Sequence, residues 1–393
     1  MDSEKILSRG VEEIIEHEHL KARLDRGDVL RVKFGIDPTS PALHLGHAVV
    51  LRKLRQFQDA EHQAVLIIGD YTATIGDPSG RNELRPLLTR NQIQTNLQSY
   101  LAQAGMILNM KKLEIRYNSE WYDKKDGLFL MNLASKFTVA QQLQRDDFQK
   151  RIKEGRDIST LELLYPILQG YDSVEVRADV ELGGTDQKFN LLMGRKVQKK
   201  HGLPEQDIMT LPIIEGLDGI RKMSKSYDNY IALLDDANTM FSKIMSIHDD
   251  LMEKYFFLLT DVPESDIKQL RHDRLHPRLA SRQPKAWKEY LGTMIIAGYH
   301  GAPAAAKAQE EFEKVFARGA LPEEMQTFAV RGTARDLRET LKASGMVSSK
   351  SEAQRLIEQG GVSVNGTAVS DWNVDHRAGD VIKVGPRRFL KIV

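Results

Sequence analysis

Phe34-Gly35-Ile36-Asp37-Pro38-Thr39-Ser40-Pro41-Ala42-Leu43-His44-Leu45-Gly46-His47 decides how this chain reads. The apolar run from Val29 to Ile36 predicts a buried strand, and Asp37-Pro38 ends it. A helix is predicted to start near Gly46, with Val49, Val50, Leu51 and Leu54 on its buried side. The strand end therefore carries a hydroxyl (Thr39), two imidazoles (His44 and His47) and a position without a side chain (Gly46) to a helix N-terminus. Such a terminus offers unpaired N–H groups and partial positive charge, which suit a phosphate. Gly46 lets a flat nucleotide lie against the backbone. Two histidines three apart also suit a metal ion or plain packing, and this stretch alone leaves those readings open.

A second stretch, Arg221-Lys222-Met223-Ser224-Lys225-Ser226, narrows them. It follows an apolar run, Ile208 to Ile214, and a glycine-rich turn, Glu215-Gly216-Leu217-Asp218-Gly219. Lysines and serines on a small loop make a cationic lid for a polyphosphate, although most basic pairs are merely solvated. With His44-Leu45-Gly46-His47 upstream, the two stretches resemble the paired signatures of the class I aminoacyl-tRNA synthetases. That resemblance implies an α/β chain in three parts: a Rossmann-like parallel-sheet catalytic domain (1–230), an α-helical domain on the anticodon side of tRNA (231–328) and a small α+β RNA-binding domain (333–393).

Composition sets the bounds. At 393 residues the chain exceeds one compact core and suggests two or three domains. Apolar content of 41% with 28% charged residues is that of an ordinary globular protein. A net charge of +1 leaves nucleic acid to be met by local patches rather than a global field. The absence of cysteine excludes disulfides, thiol nucleophiles and cysteine-ligated zinc. The polar start, Met1-Asp2-Ser3-Glu4-Lys5, is unlike a signal or transit peptide, and no apolar run approaches the roughly 20 residues that span a bilayer. A cytoplasmic protein with no membrane partner is the expectation.

Residues 3–26 read as a helix carrying Ile6, Val11, Ile14, Ile15, Leu20 and Leu24 inward. Its His17-Glu18-His19 triplet lacks a third ligand nearby and reads as a solvated face. A second strand, Gln63 to Ile68, leads into a loop of small residues, Gly69 to Arg81. Within it, Asp77 places a carboxylate where a substrate ammonium can be held. A helix from Gln92 to Ala104 and a strand from Leu113 to Tyr117 continue the alternation of a parallel sheet. Residues 119–160 depart from it and read as surface helices, with a charge-dense run from Arg145 to Arg151. The family inserts a segment at this point, and in its tyrosine branch that segment forms the contact of a homodimer.

The helix predicted from Leu161 to Asp172 aligns Tyr165, Gln169 and Asp172 on one face. A phenol, an amide and a carboxylate are costly if buried unpaired, so a polar ligand meets them unless that turn is exposed to water. The pattern resembles the amino acid site of bacterial-type tyrosyl-tRNA synthetases. By that resemblance Tyr165, Gln169 and Asp77 hold the α-ammonium of tyrosine, Asp172 accepts its phenolic OH, and Gly35 and Asp37 complete the pocket. One position departs from a well-known branch: Lys33 stands where a strand tyrosine binds the phenol, which leaves the phenol's second partner open. A strand predicted from Ser173 to Leu182 runs into Gly183-Gly184-Thr185-Asp186-Gln187. There the resemblance assigns Asp186 to the adenosine ribose and Gln187 to the tyrosine carboxylate.

The implied reaction is attack of the tyrosine carboxylate on ATP, followed by transfer to the 3′ end of a cognate tRNA. Thr39 and His44 face Lys222, Lys225 and Ser226 across the phosphates, His47 and Gly46 lie under the nucleotide, and Met223 and Arg81 complete its site. Mg²⁺ is expected with ATP, and no structural metal. Downstream, 231–328 is helix-rich, and 333–393 carries two amphipathic helices (Leu337 to Ser344, Lys350 to Gln359) before Val362-Ser363-Val364-Asn365-Gly366. An Asn-Gly pair after a strand is a strong hairpin signal. This end resembles a small RNA-binding fold shared by a ribosomal small-subunit protein, pseudouridine synthases and bacterial tyrosyl enzymes. Eleven Lys and Arg against seven Asp and Glu over 331–393 suit phosphate contacts.

Overall fold

The computed structural model describes residues 3–79, 88–276, 280–314, 325–330, 332–385 and 388–393, so Arg81 lies outside the described residues. The chain divides into two compact units, Met1–Ala305 and Ala306–Val393. In the first, six strands form one sheet: β1 (Glu13–Ile15), β2 (Arg31–Ile36), β3 (Gln63–Ile68), β4 (Glu114–Tyr117), β5 (Val180–Gly184) and β6 (Asp207–Leu211). Their order is β1-β6-β5-β2-β3-β4, parallel throughout except for β1, which runs antiparallel to β6. Ala64 to Ile68 are all buried, the continuous apolar signature of a sheet covered on both faces. From β2 the chain moves outward to β3 and β4, then returns to the other side of β2 for β5 and β6. That reversal opens a crevice at the C-terminal ends of β2 and β5, where open α/β sheets bind ligands.

Helices flank the sheet. The Leu45–Asp59 helix buries Val49, Val50, Leu51, Leu54 and Phe57, the face its periodicity predicted. The Thr160–Glu175 helix starts on a Ser159/Glu162 capping box and packs on the Lys188–Lys200 helix. Their approach is close at Gly170, where a Cβ would sit 2.7 Å from Val197 and 3.2 Å from the Gly194 Cα. Beyond the sheet, helices Ala237–Met245, Met252–Leu259, Glu264–Leu275 and Pro284–His300 build a second core of Phe241, Ile244, Phe256, Trp287, Leu291 and Ile295.

The second unit has helices Leu337–Ala343 and Lys350–Glu358 over a five-stranded sheet. The Asn365-Gly366 turn joins Val362–Val364 to Thr367–Ala368 with φ of 51° and 83°. Both residues are left-handed, as the tight turn of a twisted hairpin requires. Leu337, Leu341, Ile357, Val362, Ile382 and Leu390 form the core of this unit.

Three expectations need correction. Residues 3–26 are a helix (Ser3–Ser8), strand β1 and a second helix (His17–Asp25), because Glu13–Ile15 takes the open edge of β6. In the second helix His19 is bonded to the buried Asp207 at 2.8 Å. The strand expected over Ser173–Leu182 starts only at Val180, since the preceding helix continues through Glu175. The 119–160 segment is more than surface: Trp121, Tyr122, Leu133, Phe148, Arg145 and Arg151 are buried. Charge misled the reading because each arginine is partnered, Arg145 by Asp147 and Arg151 by Glu162.

Arg151 is fully buried and its guanidinium grips Glu162 by two bonds of 2.7 and 3.0 Å. Removing one partner leaves a buried charge uncompensated. Arg151→Met is therefore expected to destabilise the fold by about 3–5 kcal/mol in urea unfolding, and Arg151→Met/Glu162→Leu by much less.

Candidate active site

A cavity of about 1010 Å³ lies in the crevice, bordered by residues that follow β2, β3, β5 and β6. Thr39, His44, Gly46 and His47 line it on one side and Lys222, Met223, Lys225 and Ser226 on the other. The two stretches are also joined directly. The Lys225 ammonium donates to the Ser40 hydroxyl. Just downstream of the second stretch, the Ile231 carbonyl accepts from the Leu45 N–H (3.0 Å) and the Leu233 N–H donates to the Leu43 carbonyl (3.0 Å). The deeper wall carries Gly35, Asp37, Asp77, Tyr165, Gln169, Asp172, Asp186 and Gln187. Every predicted site residue within the described residues thus borders one space.

The helix N-terminus differs from expectation. His44 is the N-cap, and its Nδ1 accepts the Gly46 N–H (3.1 Å) while His47 Nδ1 accepts the His44 N–H (3.2 Å). Leu45 N–H goes to Ile231, and those of His47 and Ala48 to the His44 carbonyl. No first-turn N–H is left for a phosphate. The imidazoles replace them: with Nδ1 accepting, each neutral ring carries its proton on Nε2. Burial holds His44 well below the usual histidine range, aided by His47, Lys225 and Lys222, and lowers His47 to about 4. Both rings are therefore neutral donors near pH 7. Gly46 has a second reason for its size, since a Cβ there would meet the His44 ring at 2.9 Å.

The Arg221–Ser226 stretch is held by Asn229. Its amide donates to Asp218 (3.0 Å) and to the Arg221 and Lys222 carbonyls, and its oxygen accepts the Ser224 N–H (2.8 Å). A Cβ on Gly216 would fall 2.3 Å from Asn229, which explains the glycine in that turn. Lys222 extends to Asp186 at 3.0 Å. Burial lowers Lys225 to about 8.

The opposite end is acidic. Asp37 accepts from the Thr72 hydroxyl (2.8 Å) and the Tyr165 hydroxyl (3.0 Å). Burial, then the charges of Asp37 and Asp77, raise the Tyr165 phenol well above its ordinary value, so it stays protonated. Asp77 accepts from Gln187 (2.7 Å). Two carboxylates beside a phenol oxygen suit a cationic group. Asp172 is buried and accepts from Trp121 Nε1 (3.0 Å) and Asn118 (3.4 Å), which leaves lone pairs for one more donor. Burial raises its carboxyl to about 7, against the pull of Lys33.

Lys33 itself does not reach the cavity. Its ammonium is fully buried and spends its three protons on Glu181 (2.8 Å), Ser173 Oγ (2.8 Å) and the Gln169 carbonyl (3.0 Å). It braces the wall from behind. Sequence reading also missed Asn118, Trp121, Glu181 and Asn190, which hold the wall residues in place. Only Asn190 carried a signal, one helical turn after Gln187. Among the described residues no cluster of three side chains suits a metal ion, and no helix is long and apolar enough to cross a membrane.

A family model described as tRNA synthetases class I (W and Y) matches residues 25–317. The chain belongs to that family. An S4 domain model matches residues 337–382 of this class I synthetase chain. A tyrosine–tRNA ligase of Thermotoga maritima is 49% identical over 390 residues, covering 99% of this chain and 96% of its own length. One of Cupriavidus pinatubonensis is 46% identical, covering 100% of this chain and 95% of its own. Among solved structures, a tyrosyl-tRNA synthetase from Archaeoglobus fulgidus complexed with L-tyrosine matches with a TM-score of 0.63. At 20% identity, over 78% of this chain and 98% of that one, it speaks for the fold alone. The chain accordingly has a class I catalytic fold with a parallel sheet, and an S4 RNA-binding fold at its C-terminal end.

The brace behind the wall can be tested by itself. Lys33→Met strands the buried Glu181 carboxylate and is expected to cost about 3–5 kcal/mol in chemical denaturation. Adding Glu181→Gln removes the stranded charge, and recovery of most of that loss is the expected result.

Proposed function

We propose that this class I synthetase is a tyrosine–tRNA ligase that activates L-tyrosine with ATP and transfers it to the 3′ end of its cognate tRNA. The observation that carries the reading is one cavity with a cationic, imidazole-lined end and an acidic end closed by Asp172. Full-length relatives named tyrosine–tRNA ligase support the choice of tyrosine within the W and Y family. A buried acceptor is what selecting tyrosine demands: phenylalanine would leave the buried Asp172 carboxylate without the further donor that its free lone pairs call for. Rejection of phenylalanine by tyrosyl enzymes is the established example of that effect.

In the first step an oxygen of the tyrosine carboxylate attacks the α-phosphorus of ATP. The bond from that phosphorus to the bridging oxygen breaks, and pyrophosphate leaves with the electron pair. No general base is needed, so positioning and charge stabilisation do the work. Tyr165, Gln169 and Asp77 hold the ammonium, with Asp37 behind Tyr165 and Gly35 leaving room; Gln187 meets the carboxylate. The Nε2–H of His44 and His47 and the Thr39 hydroxyl donate to the phosphates from below. Gly46 and Met223 border the nucleotide, and Asp186 exchanges Lys222 for the ribose hydroxyls. Lys222, Lys225 and Ser226 then face the leaving pyrophosphate, with Arg81 as a further donor. Mg²⁺ arrives on the triphosphate. In the second step a ribose hydroxyl of the tRNA attacks the acyl carbon, the ester forms, and AMP and a proton depart.

Residues 1–230 are assigned to catalysis, 231–328 to the anticodon side of the tRNA and 333–393 to RNA binding. The protein acts in the cytoplasm as a homodimer, for which the exposed Leu128, Met131, Val139 and Ile152 of the inserted segment supply an apolar surface.

ATP–pyrophosphate exchange against all twenty amino acids tests the reading, and tyrosine alone is expected to support it. Asp172→Asn is expected to lose roughly 10- to 100-fold of the preference for tyrosine over phenylalanine. Because the Asp172 carboxyl titrates near 7 and only its ionised form lacks a proton of its own, the KM for tyrosine rises as pH falls below about 7. Asp172→Asn flattens that profile. Lys225 has the opposite sign: its ammonium is lost as pH rises through about 8, so the KM for ATP increases above that value. Lys225→Arg, whose guanidinium stays charged, moves the increase to higher pH.

A further inference from the structure

Asn190 lies behind the acidic end of the cavity, fully buried, on the first turn of the Lys188–Lys200 helix. Its carboxamide oxygen accepts from Arg145 Nη1 at 2.8 Å. Its nitrogen has two protons, and the nearest acceptors are Gln187 Oε1 (2.9 Å) and Gln169 Oε1 (3.0 Å), with Ser79 Oγ (3.2 Å) and Asp77 Oδ1 (3.4 Å) farther off. An amide is nearly symmetric in shape, so only its partners decide which end is oxygen. Arg145 settles that for Asn190, because a guanidinium donates and never accepts. It is itself fixed: Asp147 takes two of its bonds (2.8 and 3.0 Å), and the Phe148 and Phe189 rings lie 4.9 and 5.2 Å from its carbon. With the Asn190 nitrogen pointing at Gln187 and Gln169, both glutamines must present oxygen to it. Their own nitrogens then turn to carboxylates, Gln187 to Asp77 at the cavity (2.7 Å) and Gln169 to the buried Glu181 behind the wall (3.3 Å).

We propose that Asn190, oriented by Arg145, is a positioning residue that fixes which end of each glutamine amide is oxygen. Gln169, its nitrogen spent on Glu181, keeps a second oxygen lone pair for the ammonium, and Gln187, its oxygen held by Asn190, keeps a second proton for the carboxylate. The proposal rests on the tyrosine reading of that pocket. Were either glutamine reversed, its oxygen would meet the carboxylate of Asp77 or Glu181, and the acceptor for the ammonium at Gln169 or the donor for the carboxylate at Gln187 would be lost. Two residues that touch no substrate thereby set the polarity of two that do. The chain of donors runs in one direction only: guanidinium to asparagine, asparagine to both glutamines, glutamines to carboxylates.

Steady-state pyrophosphate exchange on the full chain separates the outcomes. Asn190→Asp keeps the size and the acceptor for Arg145 but offers the glutamines no proton. Its KM for tyrosine is expected to rise by about tenfold or more, the effect of one lost buried hydrogen bond, while the KM for ATP stays within about twofold. Arg145→Lys, which still donates to Asn190, is expected to keep a near-normal KM for tyrosine, whereas Arg145→Met raises it severalfold. That pair decides the matter should Asn190→Asp fail to fold. An unchanged KM for tyrosine in Asn190→Asp, a parallel rise in both KM values, or equal effects of Lys and Met at position 145 would overturn the relay. Absence of tyrosine-dependent exchange in the unmutated chain would instead overturn the functional reading, and this proposal with it.

Discussion

The ammonium of Lys33 has three protons and meets three acceptors, on β5 and on the Thr160–Glu175 helix. That saturated contact ties the central strand, its neighbour and the wall helix into one body directly beneath the pocket. A buried ammonium is tolerable only with such complete pairing. Glu181 shares the arrangement: it also accepts from Gln206, Ser173 and Gln169, so charge and amide orientation are settled together. The floor of the cavity is therefore rigid before any ligand arrives, which is what positioning chemistry requires.

Above that floor the cavity is divided by charge. Asp37, Asp77 and Asp172 occupy one end, and Lys222, Lys225 and two neutral imidazoles the other. The division follows from topology: the residues after β2 and β3 bring Asp37 and Asp77 inward, the Thr160–Glu175 helix brings Asp172, and the stretch after β6 brings the lysines. Neutral histidines suit a site that already has two ammonium groups, because further cations would repel them. Each ring is locked by the backbone N–H at its Nδ1, so the direction of its remaining proton is set by the fold. In the proposed reaction this gives fixed donors on one side of the phosphates and a separate lysine-bearing turn on the other.

The Lys222–Lys225 turn is itself a small construction. Asn229 bonds to four points around it, and Gly216 has no side chain because Asn229 fills that space. The lysines are presented by backbone geometry rather than by their own packing. Lys225 is held against Ser40, and its lowered proton affinity follows from its burial.

The sequence by itself determined the alternation of strands and helices, the two signature stretches, and the polar face of Tyr165, Gln169 and Asp172, because each is written in local periodicity or in adjacent residue types. It determined the Asn365-Gly366 hairpin for the same reason. Tertiary structure decided what depends on partners distant in the chain. β1 is a strand because β6 offers an open edge, and Arg145 and Arg151 are buried because Asp147 and Glu162 neutralise them. Lys33 faces away from the cavity because Glu181, Ser173 and Gln169 wait behind it. The first-turn N–H groups after His44 are taken rather than free because the His44 imidazole, the His44 carbonyl and the Ile231 carbonyl accept them. A residue type states what a side chain can bond; which bond it makes is fixed only when burial removes water as the competing partner.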